Sequence, residues 1–213
     1  MNAEQFQRQT NVSRETLEMY QTWLNLLTHW NKRINLVSSS TLHDFWLRHA
    51  LDSWQVAELL PESTKIILDM GAGAGFPGLA MAIALKDKPE AQITWVEANG
   101  KKCNFLRTVI RECDLRAKAV QSRIENFEPH SFEVITARAF APLPKLLKHS
   151  LLFWSDSTMG LFPKGESWQT EEGAARQLFN FDLTTSKSQT SDQAKILTIT
   201  NLQLRAETNK ASL

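Results

Sequence analysis

Cysteine is nearly absent from this chain. Two thiols in 213 residues, Cys103 and Cys113, are too few for a disulfide framework and have no partners at metal-ligand spacing. Both fall in one predicted helix, too far apart along it to bridge, so reduced thiols are expected. The five histidines show no paired ligand spacing, and no metal site is expected. A charge excess of either sign is also missing: 24 Lys and Arg face 23 Asp and Glu, for a net charge of +1. Composition therefore does not announce a nucleic-acid partner, and any RNA-binding face must come from local clustering of cations. No apolar run approaches the ~20 residues that cross a bilayer. The stretch Met1-Asn2-Ala3-Glu4-Gln5 has no signal-peptide character, so a cytoplasmic protein without membrane contact is expected. There are no internal repeats and no low-complexity tracts. An apolar share of 42% and a charged share of 22% are ordinary for a globular chain, long enough here for one large domain with an appendage.

Glycine is scarce as well, but half of it is in one place. Four of the eight glycines fall in Ile66-Ile67-Leu68-Asp69-Met70-Gly71-Ala72-Gly73-Ala74-Gly75-Phe76-Pro77-Gly78. The short, turn-bounded apolar run reads as a buried strand. Gly71, Gly73 and Gly75 take every Cβ out of a tight strand-to-helix turn, so backbone N–H groups can come close to a ligand. Pro77 suits the first turn of a helix continuing through Leu79, Met81, Ala82, Ile83 and Leu85. This is a nucleotide-type cofactor loop. Its literal Gly73-x-Gly75-x-x-Gly78 matches the dinucleotide fingerprint, so a nicotinamide or flavin oxidoreductase stands as an alternative. Asp69 points elsewhere. A carboxylate two residues before the first glycine would repel a pyrophosphate and suits a cationic cofactor without phosphate, S-adenosyl-L-methionine. The other reading of Asp69 is that it only hydrogen-bonds loop amides.

Ahead of this loop, after a polar start, Ser13 caps a helix whose apolar face is Leu17, Tyr20, Trp23, Leu24, Leu27 and Trp30. A second helix is predicted from Thr41 to Leu60, stopped by Pro61. These helices make a cap over residues 1–61, and residues 62–213 form the sheet domain, the whole being one compact unit. From Ile66 strand and helix alternate, the pattern of a parallel α/β sheet. Strands are predicted over Gln92–Glu97, weakly over Ala117–Val120, over Phe132–Ala137 and over Met159–Phe162, with a helix from Lys101 to Cys113 and a leucine-rich helix after Pro142. Thr184–Gln193 reads as a polar loop joining two closing strands, the last alternating through Ile196, Thr198, Thr200, Leu202 and Leu204. The fold class is α/β: a doubly wound, Rossmann-like sheet, mostly parallel, with an antiparallel closing strand and an N-terminal helical cap.

Several residues stand where a doubly wound sheet binds ligands. Glu97 ends the second strand, a little over twenty residues after Gly75, where a carboxylate accepts from ribose hydroxyls; alone it is equally a solvated strand-end acid. Arg123-Ile124-Glu125 follows the third strand, where backbone can bond an adenine edge and Ile124 pack on its face, or where a plain turn can sit. Arg138 directly follows an apolar strand. Amino-directed methyltransferases often carry acceptors here; the donor fork of arginine suits the O6 and N7 acceptors of guanine, unless it makes a structural salt bridge. Lys164 is a second cation at the same edge, or simply a turn lysine before Gly165. Arg48, His49 and Asp52 share a helix, but no nucleophile motif accompanies them, so a hydrolytic triad is not expected.

Taken in order, these segments resemble the RsmG (GidB) family of small-subunit rRNA guanine-N7 methyltransferases. The carriers are Trp30-Asn31-Lys32 with Ile34-Asn35-Leu36-Val37, Arg48-His49-Ala50-Leu51-Asp52-Ser53, and the Asp69–Gly78 loop. Lys101-Lys102 with Phe105-Leu106-Arg107, Gln121-Ser122-Arg123-Ile124-Glu125, Arg138-Ala139-Phe140-Ala141 and Lys164-Gly165 complete the set. The resemblance covers roughly residues 15 to 166. It implies a class I methyltransferase binding S-adenosyl-L-methionine through Gly71, Phe76, Ile124, Glu125 and Arg138, to which the residue reading adds Asp69, Gly73, Gly75 and Glu97. It implies a target guanine in the decoding region of 16S rRNA, with 16S rRNA or the small ribosomal subunit as partner; separately, a monomer is expected. Arg138 and Lys164 are the candidate catalytic residues; Arg123, Lys164, Asn35 and Arg48 are the candidate RNA contacts. Guanine N7 already carries a free lone pair, so no general base is required. Glu97 where the family usually has Asp, Ala74 for a frequent proline and Pro163 for a leucine are departures, and the chain after Gly165 matches weakly. A catalytically idle RNA-binding module on the same fold is the further alternative.

Overall fold

In the computed structural model, which describes residues 1–205, the chain folds around one seven-stranded sheet in the order β3-β2-β1-β4-β5-β7-β6. Five strands run parallel to one another: β1 (Ile66–Met70), β2 (Gln92–Glu97), β3 (Ala117–Gln121), β4 (Val134–Thr136) and β5 (Met159–Lys164). The closing hairpin of β6 (Phe179–Lys187) and β7 (Lys195–Leu204) adds two antiparallel pairings. Neighbouring residues on the central strands face opposite sides, as a pleated strand requires. Ile67, Ile93, Trp95, Leu161 and Ile196 join one apolar cluster, and Leu68, Val96, Phe162 and Leu197 the other. Both sheet faces are therefore covered, which is why these strands read as nearly continuous apolar runs.

The first cluster is shared with the N-terminal helices. Phe6 of α1 (Ala3–Thr10) and Tyr20, Trp23 and Leu27 of α2 (Arg14–Asn31) pack in it beside Phe76, Leu79, Phe105 and Leu106. Ser13 caps α2 through a bond from Thr16 N–H, as its sequence predicts. On this face lie α5 (Gly78–Ala84) and α6 (Gly100–Glu112); α7 (Leu143–Ser150) covers the second cluster, with α8 (Trp168–Arg176) against it. Chain order runs outward from β1 to β3 and then returns to β4 on the other side. The carboxyl ends of β1 and β4 therefore flank the crevice where the winding reverses.

Five sequence expectations need correction. The polar start is a helix, α1, because Asn2 and Gln5 form a reciprocal capping box and Phe6 is buried. The single helix expected from Thr41 to Leu60 is instead α3 (Ser39–His43), a π-helical segment (Trp46–Leu51) and α4 (Asp52–Ala57). The widened turn buries Trp46, Ala50 and Leu51 while leaving His49 and Asp52 in contact with Arg138. The strand expected over Phe132–Ala137 shortens to Val134–Thr136, since Phe132 N–H bonds Phe153 O instead of a sheet neighbour. Thr184–Lys187, read as loop, extend β6 and pair with Lys195–Thr198; their polar side chains lie mostly toward solvent, and threonine is a good strand former there. Cys113 is the C-cap of α6 and not a member of it; both cysteines are free and buried.

Candidate functional site

The glycine loop is built against the carboxyl ends of β1 and β2. Gly71 N–H and Ala72 N–H both bond Val96 O, at 2.8 and 3.2 Å. Gly71 sits at φ +66°, with the Phe140 ring directly over its Cα face, so both its conformation and its contact call for glycine. Asp69 is fully buried, and its Oδ2 accepts from Gly78 N–H at 3.1 Å. A Cβ at Gly78 would run into Asp69 Oδ2 and Trp95 Nε1. Asp69 thus ties the strand end to the start of α5. Its Oδ1 is buried with no hydrogen-bond partner among the described residues. Burial pushes this carboxyl well above the usual range, against the pull of Gly78 N–H and the Arg138 guanidinium.

Glu97 is buried at the end of β2 and holds the loop from the other side. Its Oε2 accepts from Gly73 N–H at 2.9 Å and its Oε1 from Asn99 N–H at 2.7 Å. Each oxygen keeps a lone pair for a further donor. Beside it opens a cavity of about 340 Å³ lined by Gly71, Val96–Ala98, Ser122–Glu125 and Ala139–Ala141, with Lys145 and His149 at its wall. Ile124 is buried there in a short 3₁₀ turn (Ile124–Asn126), while Arg123 and Glu125 are exposed. The structure brings together Gly71, Glu97, Ile124 and Glu125 at this cavity. Asp69, Gly73, Gly75, Phe76 and Arg138, also expected to bind the cofactor, do not line it. Phe76 is buried between Trp23 (4.8 Å between centroids) and His49 (4.4 Å, near-parallel rings), with Arg138 Cζ 4.3 Å over its ring. The phenyl group is the platform for Arg138.

Arg138 is held from several directions. Its Nη1 bonds Asp52 Oδ2 at 2.9 Å and the Arg48 carbonyl at 3.4 Å, and its Nη2 lies 3.3 Å from His49 Nδ1. Burial lowers the Arg138 pKa somewhat, against the raising effect of Asp52 and Asp69; a guanidinium stays charged. The His49 imidazole is pushed down to about 3 by burial first, then by Arg138 and Arg48, so it is neutral. Asp52 also accepts from Thr190 Oγ1 at 2.6 Å on its Oδ1. One carboxylate therefore ties the crevice arginine to the β6–β7 connection.

Past Arg138 the chain forms a short loop pinned at its far end as well. Lys164 Nζ donates to Ala141 O at 2.7 Å and to Glu171 Oε2 at 2.8 Å, and the same Glu171 oxygen accepts from Leu143 N–H at 2.8 Å. Between the pins, Ala139 is held at φ +53°, a conformation that costs a non-glycine residue about 1 kcal/mol or more. On its other side this loop walls a second cleft of about 540 Å³, lined also by Asp52, Lys164, Glu171, Ser188 and Lys195. A smaller hollow with Thr41 and Arg48 adjoins it through Asp52, Arg138, Ala139 and Ala194. Of the four candidate RNA contacts, Lys164 and Arg48 flank this cleft, Arg123 stands at the first cavity, and Asn35 lines a separate hollow with Asn31 and Ser38. Lys164 is committed to Glu171 and Ala141 and not free at the edge, as the sequence had it, which leaves one of its three N–H donors. Sequence reading assigned no role to Asp52, Glu171 or Lys195. Asp52 gave a signal, its spacing from Arg48 and His49; the others lie after Gly165, where no motif marks them in the sequence.

Among the described residues no three His, Cys, Asp or Glu side chains are grouped as a metal site would require, and no helix is long and apolar enough to cross a membrane. The first cavity fits a sulfonium nucleoside: a buried carboxylate stands at the strand end beside an apolar Ile124 face. The sequence profile of the family described as rRNA small subunit methyltransferase G matches residues 16–200. Ribosomal RNA small subunit methyltransferase G of Hyphomonas neptunium is 40% identical over 195 residues, covering 92% of each chain. The protein of that name in Parvibaculum lavamentivorans is 40% identical over 204 residues, 95% of this chain and 90% of that one. Among solved structures, a putative O-methyltransferase from Klebsiella pneumoniae aligns with a TM-score of 0.58 at 14% identity, over 86% of this chain and 90% of that one. A Podospora anserina methyltransferase solved with SAH bound aligns at 0.57 and 14% identity, over 89% and 88%. These last two are likenesses of fold alone; family membership rests on the profile and the relatives. The chain belongs to the rRNA small subunit methyltransferase G family, and it is an S-adenosylmethionine-dependent methyltransferase.

Proposed function

We propose that this protein, as a monomer, methylates N7 of a guanine in the decoding region of 16S rRNA, presented on the rRNA or the small subunit. The observation that carries the reading is the pair of cavities sharing one wall. Ala139, Phe140 and Ala141 line both the cavity at the glycine loop and the larger cleft, so a group in one can meet a group in the other across a thin, pinned loop. In this assignment Glu97 takes the ribose hydroxyls, Ile124 packs on the adenine, and the Gly71 backbone at the cavity wall meets the amino-acid end. When bound, S-adenosylmethionine supplies a methyl group on a positively charged sulfur, which leaves as a neutral thioether.

The residues then have only to position. The lone pair of N7 forms the new N–C bond as the S–C bond breaks, the positive charge passes to the guanine ring, and no proton is removed. The cleft fits this: its carboxylates, Asp52 and Glu171, are each bonded to a cation and neither is free as a base. In-line orientation and fixed charge are what remains for the protein to supply. Arg138 retains N–H groups beyond those bonded to Asp52, Arg48 and His49, and these are the donors for the cofactor carboxylate or guanine O6.

Incubation with methyl-labelled S-adenosylmethionine and small subunits lacking the modification tests the reading. The expected product carries label at a guanine whose strand is cleaved by aniline after borohydride reduction. Label at any other base atom would refute the N7 assignment; folded protein that binds S-adenosylhomocysteine and RNA without transferring label would instead be an idle RNA-binding module.

A further inference from the structure

The substrate-side cleft carries an unbalanced charge. Arg138, Lys164 and Lys195 line it together with Asp52 and Glu171. Asp52 is bonded to Arg138 and Glu171 to Lys164, and no ion pair to Lys195 occurs among the described residues. Strand register adds to the imbalance. Lys195, at the start of β7, is the cross-strand partner of Lys164 on β5 and of Lys187 on β6. Directly opposed residues project from the same sheet face, and like charges there repel. Three ammonium groups therefore stand in a row across β5, β7 and β6 at one end of the sheet, with one of them compensated. Lys195 is half-buried in the cleft and Lys187 is exposed beside it. The cleft, at about 540 Å³, is of the size that accepts a nucleotide-sized group.

We propose that Lys195, backed by Lys187, grips a backbone phosphate of the RNA strand whose guanine is presented to the cofactor cavity. This rests on the RNA reading above and gives the closing hairpin a part in substrate binding. An ammonium is a compact point charge that positions a phosphate without reading sequence. The base itself meets the opposite wall, at Arg138 and Phe140, and the strand is anchored one wall away.

The test uses the full-length protein and its K195A, K187A and K195R variants. Each is titrated with a 16S rRNA transcript across 50 to 200 mM salt, then assayed for transfer to unmethylated small subunits. Each lost lysine is expected to make the slope of log affinity against log salt shallower by about 1. The KM for RNA should rise about threefold to tenfold, with kcat and S-adenosylhomocysteine binding unchanged. K195R should keep the wild-type slope, and K118A, on β3 at the far edge of the sheet, should change nothing. Wild-type slope and KM in both alanine variants would overturn the proposal, as would a loss in kcat with KM and slope intact. If the wild-type protein transfers no methyl group, the functional reading fails on its own, and the salt slopes still decide the lysines.

Discussion

Arg138 owes its place to partners that no spacing in the sequence connects to it. The phenyl ring of Phe76 lies under it, and Asp52, the Arg48 carbonyl and His49 meet its donors. Replacing it with alanine removes the donor at the junction of the two cavities, so transfer should fall about 10²- to 10³-fold. Asp52 keeps Thr190 and Gln55 as donors, which limits the stability cost to about 1 kcal/mol. Steady-state transfer and thermal melting check the two halves, and wild-type activity in R138A would remove Arg138 from the mechanism. His49 makes a pH prediction. Its folded-state pKa of about 3 lies below the ordinary 6.5, so the unfolded chain binds the extra proton. Its contribution to stability is present above pH 6.5 and is lost as pH falls toward 3, by up to about 1.4 kcal/mol per unit. His49→Phe, which keeps a ring against Phe76, should show a smaller drop in Tm between pH 7 and pH 4 than the wild type. Equal drops would mean that this ring is not the titrating group.

Among the elements, the loop from Arg138 to Leu143 is the one whose behaviour the surroundings dictate. Glu171 of α8 bonds both Lys164 and Leu143 N–H, and Lys164 bonds Ala141 O. Together they hold the strained Ala139 in place. Glu171→Ala leaves a half-buried lysine and a backbone donor without their partner, and should cost about 1–3 kcal/mol in chemical denaturation. It should also lower transfer more than S-adenosylhomocysteine affinity, since Glu171 lines only the substrate-side cleft. An unchanged midpoint would show the loop to be held by other contacts. Elements with strong local signals, such as α2 with its Ser13 cap and β1 with its glycines, are legible in the sequence. The π-helical segment at Trp46–Leu51 is not, because its i→i+5 pairing has no propensity signature of its own. The extension of β6 was hidden for a related reason: Ser and Thr suit loops and solvent-facing strands alike.

At the scale of the molecule, the N-terminal helices do not stand apart from the sheet. Phe6, Tyr20, Trp23 and Leu27 share one buried cluster with Phe76, Leu79, Phe105 and Leu106, and Trp23 packs on the Phe76 ring that carries Arg138. The protein should therefore unfold in a single transition, with far-ultraviolet circular dichroism and tryptophan fluorescence coincident. A chain beginning at residue 62 should fail to bind S-adenosylhomocysteine. Two separated transitions, or cofactor binding by the truncated chain, would make the cap an independent unit.

Local patterns were enough to determine the alternation of strands and helices, the glycine turn and the acid at the end of β2, because those features depend on residues near one another in the chain. They also carried the family, through short motifs kept in order. The pairing of Asp52 with Arg138, the pinning of Ala139–Ala141 by Lys164 and Glu171, and the burial of Asp69 and Phe76 were decided by tertiary structure alone. Each joins groups from distant elements, and burial and hydrogen-bond satisfaction, which set their roles, exist only once the sheet has brought those elements together.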